Sequence, residues 1–365
     1  MSTDRPMPRS AWIFPALAVL LFAGVTALHY DFAPSPAGLV FAAVLLLILF
    51  GTVFAAVHHA EVIAERIGEP YGTLLLTLSV TIIEVALIAT IMLGEQQVTT
   101  LARDTVFAVV MIVVNGLVGI CILIGGLRYR EQDIRVSGSN LYLSVLAVLA
   151  TITLIMPNYT LTTPGPVYSV HQLAFVSVVT ILLYGVFLYI QTVRHRDYFV
   201  NDFTGEADEG SHASSRTMFI STVLLLVSLL AVVLLAKKFS LVVDAAADLI
   251  GAPPAFAGIL VALLILLPES VSAVSAARKN DLQKSINLAL GSSLATIGLT
   301  IPAVAVAAYA LNMQLVLGVP LQEVVLLALT LVLGMLTLGT GRTNILFGLV
   351  HLVVFAVFVF LVFVP

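Results

Sequence analysis

Hydrophobic positions along this chain neither alternate nor mark one helical face; they run almost unbroken for about twenty residues at a time between short polar interruptions. Apolar runs occupy approximately 11–28, 37–57, 72–93, 104–126, 139–156, 171–191, 217–236, 254–277, 285–310, 321–339 and 343–364. Each is long enough for a helix rising about 1.5 Å per residue to cross roughly 30 Å of hydrocarbon. The pattern predicts an all-α polytopic membrane protein of about eleven transmembrane helices. "VTA" at Val25–Ala27 resembles a signal-peptidase site. An uncleaved first helix is the preferred reading, because the run is long enough to span and a multi-span protein follows.

Composition agrees with that class. Of 365 residues, 60% are hydrophobic and only 10% charged, far from the roughly one quarter charged of soluble domains. The net charge of -4 is small and the basic residues are scattered, so neither nucleic acid nor an anionic lipid patch is expected as the main partner. The expected partners are the lipid bilayer and transported ions, and a homo-oligomer is compatible with the sequence. A single cysteine, Cys121, excludes an intramolecular disulfide.

The placement of basic residues orients the spans. With a cytoplasmic N-terminus, the inside segments hold Arg5, Arg9, Arg66, Arg128, Arg130, Arg135, Arg194, Arg196, Arg216, Arg278, Lys279, Lys284 and Arg342, and the outside keeps Arg103, Lys237 and Lys238. Thirteen against three is a strong positive-inside bias, and it puts the C-terminus outside. Those are all the Lys and Arg in the chain, so no apolar run contains a basic residue.

The chain also repeats. "IGEP" at Ile67–Pro70, followed by an apolar run holding Glu84, returns as "IGAP" at Ile250–Pro253, followed by a run holding Glu269. The offsets are 183 and 185 residues. An odd number of spans per unit gives the copies opposite orientation, the architecture of many secondary transporters. The expected organisation is a leading helix over 1–30, a five-helix repeat over 37–191, an acidic cytoplasmic linker over 192–216 and a second five-helix repeat over 217–364.

Glu84 and Glu269 are the acidic residues well inside the runs. Glu84 lies twelve residues beyond Gly72, about 18 Å along a helix and so near mid-membrane. A carboxylate at that depth costs several kcal/mol unless it is protonated, paired or bound to a cation. With no basic residue in the spans, protons and mobile cations are the expected partners. Oxygen ligands suit hard cations such as Ca²⁺ and Na⁺, and the near absence of Cys and His from the spans disfavours softer metals. The expectation is therefore cation/proton exchange, with no resident cofactor and with Glu84 and Glu269 as ligands of both metal ion and proton. Brought together by the repeat, two such carboxylates repel each other and raise their common proton affinity.

Neighbouring polar residues complete the candidate site. Thr77 and Thr81 precede Glu84 by seven and three positions, one helix face. Ser272 follows Glu269 by three, with Ser275 one turn on. Under the predicted topology both stripes lead to the carboxylates from the cytoplasmic side. Asn115 sits in the span after Glu84, and Ser292 and Ser293 in the span after Glu269. Pro268 leaves the Leu264 carbonyl without its helical donor, a feature of ion-binding transporter helices. His351, alone in the last span, reads as a packed or hydrogen-bonded residue rather than a ligand.

These residues resemble the Ca²⁺/cation antiporter superfamily, and within it the bacterial ChaA-type cation/proton antiporters. "AERIGEPYGTLLLTLSVTIIEVALI" from Ala64 is similar to the first alpha-repeat, and "LLILLPESVSAVSAARKNDLQKSINLALGSSLATIGLTIP" from Leu263 to the second. "GRTN" at Gly341–Asn344 fits the same branch. The resemblance implies a sodium/calcium exchanger-like fold in a bacterial inner membrane. It also implies Glu84 and Glu269 as shared cation and proton ligands, with Asn115 and Ser292 or Ser293 as helpers. Wider Ca²⁺/proton exchangers carry a "GNAxE" type motif before each glutamate, where this chain has "VTIIE" and "ILLPE". Thr81 stands in place of the Asn and Leu266 at its counterpart. The choice among Ca²⁺, Na⁺ and K⁺ stays open.

Other classes fit less well. Channel filters are usually built from rings around an oligomer axis, and neither "HExxH" nor "GxSxG" occurs for an intramembrane enzyme. The acidic segment from Asp197 to Gly210 lacks EF-hand spacing and reads as a solvated linker. "HHAEVIAER" at His58–Arg66 reads as the cytoplasmic end of a helix.

Overall fold

A computed structural model describes residues 7–28, 32–33, 35–68, 70–93, 98–199 and 214–364. Arg5 and the linker acids Asp202, Glu206, Asp208 and Glu209 lie outside the described residues. Eleven described helices are long and apolar enough to span: α1 Arg9–Ala27, α2 Pro36–Ile67, α3 Tyr71–Met92, α4 Leu101–Tyr129, α5 Val136–Tyr159, α6 Val170–Arg194, α7 Ser215–Ile250, α8 Ala255–Arg278, α9 Leu282–Ala310, α10 Leu321–Leu338 and α11 Ile345–Phe363. Every apolar run of the sequence has become one of them.

Local chemistry sets the helix starts. Ser35 accepts from Gly38 N–H ahead of Pro36 at the first turn of α2, Ser214 caps α7, Asp281 caps α9 and Asn344 caps α11. Each supplies an acceptor for N–H groups that have no intrahelical partner.

Two helices outrun their hydrophobic stretch. α2 has 32 residues and α7 has 36, or about 48 and 54 Å at 1.5 Å per residue. The surplus is polar: "HHAEVIAER" continues α2, and Lys237, Lys238, Asp244 and Asp248 continue α7. Hydropathy ends where the bilayer would end, whereas backbone hydrogen bonding goes on until a residue stops it. The stop is glycine in both: Gly68 at φ 77° and Gly251 at φ 63°, left-handed values that other residues adopt at a cost. Prolines follow, with Pro70 heading α3 and Pro254 heading α8. "IGEP" and "IGAP" are thus the same stop-and-restart device, and each closes the long first helix of a repeat.

The repeat extends to an irregularity. A π-helical turn interrupts α4 at Met111–Leu117 and α9 at Thr296–Thr300. Met111 and Thr296 are separated by the same 185 residues as Glu84 and Glu269.

The chain forms two compact units, each drawing on both halves of the sequence. The first lies within Met1–Val98 and Thr204–Ala252 and contains α1, α2, α3 and α7. Within it α2 packs along α7, and both also touch α1 and α3. Pro15 inside α1 has no N–H to give the Ala11 carbonyl. The buried His59 of α2 takes that place, its Nε2 lying 3.0 Å from the Ala11 oxygen.

The second unit lies within Thr99–Phe203 and Pro253–Pro365 and contains the other seven helices. α4 is its centre: 83% of its apolar window is buried, as expected of a helix apolar all round, and it packs against α8, α9, α10 and α11. The connections form two groups. Strand β1, Glu131–Asp133, pairs antiparallel with β2, Arg342–Asn344, a small addition to an otherwise helical fold. Arg135 near β1 also meets the Asp197 carbonyl and Gln283. In the other group, Val167 bridges Val316 and Arg103 donates to the Gly318 carbonyl. Each set joins only connections separated by an even number of spans, which is what alternating passage through a bilayer requires.

Candidate functional site

Glu84 lies in α3 of the first unit and is 1% exposed. Thr81, one turn before it, is also buried, and Thr77 half-buried. The Thr81 hydroxyl donates to the Thr77 carbonyl at 2.9 Å, the usual way a threonine satisfies itself inside an apolar helix. The three therefore share one face, as their spacing predicts.

Glu269 lies in α8 of the second unit and is half-buried. Pro268 beside it leaves α8 continuous from Ala255 to Arg278. The helix is not broken; π turns occur instead in α4 and α9, and also in α5 at Thr151–Ile155 and in α6 at Ile190–Arg194. Ser272 and Ser275 are on the exposed side of α8.

The following span, α9, carries Ser292, half-buried, and Ser293, fully buried. The Ser293 Oγ has no hydrogen-bond partner among the described residues. A buried hydroxyl left bare costs roughly 1–3 kcal/mol, so it is a natural place for an ion or water to bind.

Asn115 has the opposite surroundings. It lies in the π turn of α4, wholly buried. Its Nδ2 donates to Thr330 Oγ1 of α10 at 2.8 Å, and its Oδ1 faces His351 Nδ1 of α11 at 3.2 Å. His351 Nε2 in turn faces Thr337 Oγ1 of α10 at 3.1 Å, and Thr330 Oγ1 lies 3.4 Å from Met111 Sδ. Thr330, Thr337 and His351 are fully buried as well. The close crossing of α4 and α11 makes this reach: a Cβ on Gly348 would sit 2.8 Å from the Leu123 nitrogen, and one on Gly119 3.1 Å from the His351 Cβ.

The structure thus joins Asn115 to four residues of which sequence reading had singled out only His351, and that as a packed or hydrogen-bonded side chain. The signal for the others was present: Thr330 and Thr337 are seven residues apart, one face of α10. A second feature was less legible. Asp104, placed at a span end by the sequence, is buried and ion-paired to Arg103 at 2.8 Å, with the Thr100 hydroxyl on its other oxygen at 2.8 Å.

Eleven helices, with two copies of a five-helix motif related by equivalent glycine stops, π turns and glutamates, define a multi-pass membrane transporter. The chain belongs to the sodium/calcium exchanger protein family, whose model matches residues 37–193 and 220–364. It is 44% identical over 360 residues to y4hA of Sinorhizobium fredii, described as an ionic transporter, covering 98% of this chain and 97% of that protein. It is 38% identical to the sodium-potassium/proton antiporter ChaA of Escherichia coli, covering 96% and 95%. Among solved structures, that of the Ca²⁺/H⁺ antiporter protein YfkE matches with TM-score 0.70 over 98% of this chain and 100% of that one, at 18% identity. At that identity the likeness concerns the fold.

Proposed function

We propose that this protein is a secondary active cation/proton antiporter which exports cytoplasmic Ca²⁺, and also Na⁺ or K⁺, in exchange for protons by alternating access. The observation that carries this reading is the pair of repeat-equivalent carboxylates, with Glu84 1% exposed in an apolar helix and no basic residue in any apolar run. Such groups exchange protons for mobile cations because either neutralises them at bilayer depth. The bare hydroxyl of buried Ser293 supports an oxygen ligand set, with Thr77, Thr81, Asn115, Ser272 and Ser292 as the remaining candidates.

The positive-inside bias supports a cytoplasmic N-terminus and an outside C-terminus in a bacterial inner membrane. A reporter active only outside the cytoplasm is expected to work after Pro365 and to fail near Asp208. An active Asp208 fusion overturns that orientation.

Transport in everted vesicles tests the function. An imposed proton gradient should collapse on addition of the transported cation, and the cation's apparent affinity should rise with pH as competing protons are removed. No collapse with Ca²⁺, Na⁺ or K⁺ overturns the antiporter. A second reading, a Na⁺(K⁺)/proton antiporter with little Ca²⁺ transport, draws on the 38% identity to a protein named for sodium and potassium. Collapse with Na⁺ or K⁺ but not Ca²⁺ selects it.

A further inference from the structure

The side chains around Asn115 form a chain of hydrogen bonds whose direction follows from the Met111 sulfur at one end of it. A methionine sulfur accepts but never donates. Thr330 Oγ1, 3.4 Å from Met111 Sδ, therefore gives its proton to the sulfur and accepts from Asn115 Nδ2 at 2.8 Å. That assigns the nitrogen end of the Asn115 amide to α10 and its oxygen to α11, where His351 Nδ1 is 3.2 Å away. An amide oxygen only accepts, so Nδ1 carries the imidazole proton. Nε2 is then an acceptor, and Thr337 Oγ1 at 3.1 Å donates to it. In the order from Thr337 through His351, Asn115 and Thr330 to Met111 each hydroxyl, amide and ring nitrogen has a partner, and the Val114 carbonyl also accepts from the imidazole.

The same accounting shows what remains of Asn115. A primary amide has two N–H donors and two oxygen lone pairs. One donor is held by Thr330 and the other points at Met111 Sδ, 3.8 Å away on the same helix. One lone pair is held by His351. A single Oδ1 lone pair is left uncommitted, and its direction is set by the imidazole.

We propose that His351 is a positioning residue for cation selection: its Nδ1–H holds the Asn115 amide so that one oxygen lone pair, and no N–H, is offered to the transported cation. Without that grip the Thr330 contact alone holds the amide, and the amide can then turn and present N–H donors, which repel a cation. His351 touches no cargo in this scheme and acts through Asn115. The proposal rests on the antiporter reading and on Asn115 being a ligand within it.

The test uses the full-length protein in everted vesicles, with Ca²⁺ and Na⁺ added separately. An Asn side chain places its Nδ2 where the histidine Nδ1 lies, whereas Gln reaches only the Nε2 position. His351→Gln is expected to raise the apparent KM for cation about tenfold, the effect of one hydrogen bond, with Vmax within about twofold. His351→Asn should bring KM back to within about threefold of the unsubstituted protein. In an Asn115→Ala background, His351→Gln should add nothing. Equal KM shifts for the Asn and Gln variants, or a full additional shift in the Asn115→Ala background, overturns the proposal. If neither His351 variant accumulates in membranes, Thr337→Val carries the test, since it removes the donor to Nε2 and leaves the ring. It should raise KM about threefold, and an unaltered KM overturns the idea. Normal KM in Asn115→Ala alone also overturns it while the antiporter stands. Failure of the unsubstituted protein to exchange any of the three cations refutes the antiporter reading, and this proposal falls with it.

Discussion

α4 and α9 occupy matching places in the two repeats. Each follows a glutamate-bearing helix and each is opened by a π turn, at Met111–Leu117 and Thr296–Thr300, yet two of their buried polar side chains, Asn115 and Ser293, are treated in opposite ways. In α4 the Asn115 amide is tied to Thr330 and His351. In α9 the Ser293 hydroxyl is equally buried and has no hydrogen-bond partner among the described residues. The two positions are not repeat copies of each other, since at the offset of 185 residues Asn115 matches Thr300 and Ser293 matches Ala108; matching helices thus carry their buried polar groups at different places, one of them held and one without a described partner. The held group costs nothing to keep buried and comes ready oriented. The bare one gains a partner only when a water or another ligand arrives.

The largest effect expected lies in what the two repeats share. Glu84→Gln or Glu269→Gln alone should reduce Ca²⁺/proton exchange to background in vesicles, because one remaining carboxylate cannot balance a divalent ion, and the double variant should be no worse. Substantial exchange by either single variant breaks the functional equivalence of the repeats.

The contrast between held and bare groups predicts a crossed pair of phenotypes. Asn115→Ala strands the Nδ1–H of His351 and deprives Thr330 of its donor, so it should cost about 2 kcal/mol of stability and lower the thermal midpoint of the purified protein. Ser293→Ala removes a hydroxyl already lacking a partner and should change stability by less than about 0.5 kcal/mol while weakening apparent cation affinity about threefold to tenfold. If the serine variant proves the less stable of the two, the distinction between α4 and α9 is wrong.

The glycine stops sharpen the same comparison at the backbone. Gly68 has φ 77° and ψ 174°, a region essentially closed to other residues, whereas Gly251 has φ 63° and ψ 33°, the left-handed helical region. Gly68→Ala is expected to cost about 2–3 kcal/mol and Gly251→Ala about 1 kcal/mol. Gly251→Asn should recover part of the latter, since Asn tolerates that conformation. Chemical denaturation of the purified variants orders the three.

The smallest effect is expected where the fold adds its two short strands. Arg342 and Asp133 pair at 3.1 Å with side chains 72% and 81% exposed. Asp133→Asn should shift stability by less than about 0.5 kcal/mol, and less again at high salt.

Much of this protein was legible without coordinates, for a reason that particular residues illustrate. The eleven apolar runs, the basic residues missing from them and the two carboxylates inside them all report on solvent, and each residue carries its own transfer free energy wherever its neighbours lie. Glu84 stands out because a charge in an apolar run is costly by itself. "IGEP" and "IGAP" were visible as a repeat because a left-handed stop followed by proline is local backbone chemistry, complete within four residues.

What only the tertiary structure decided depends on partners far apart in the chain. His351 and Asn115 are 236 residues apart, and Thr330 lies 215 from Asn115. No local pattern says that the first histidine nitrogen meets an amide oxygen or that the Ser293 hydroxyl has no partner among the described residues. The length of α2 and α7 beyond their apolar stretches, the π turns, and the pairing of His59 with the carbonyl freed by Pro15 belong to the same class. Burial is a property of a residue type that sequence records directly, whereas a hydrogen bond is a property of two positions and an angle, which exist only once the helices are packed.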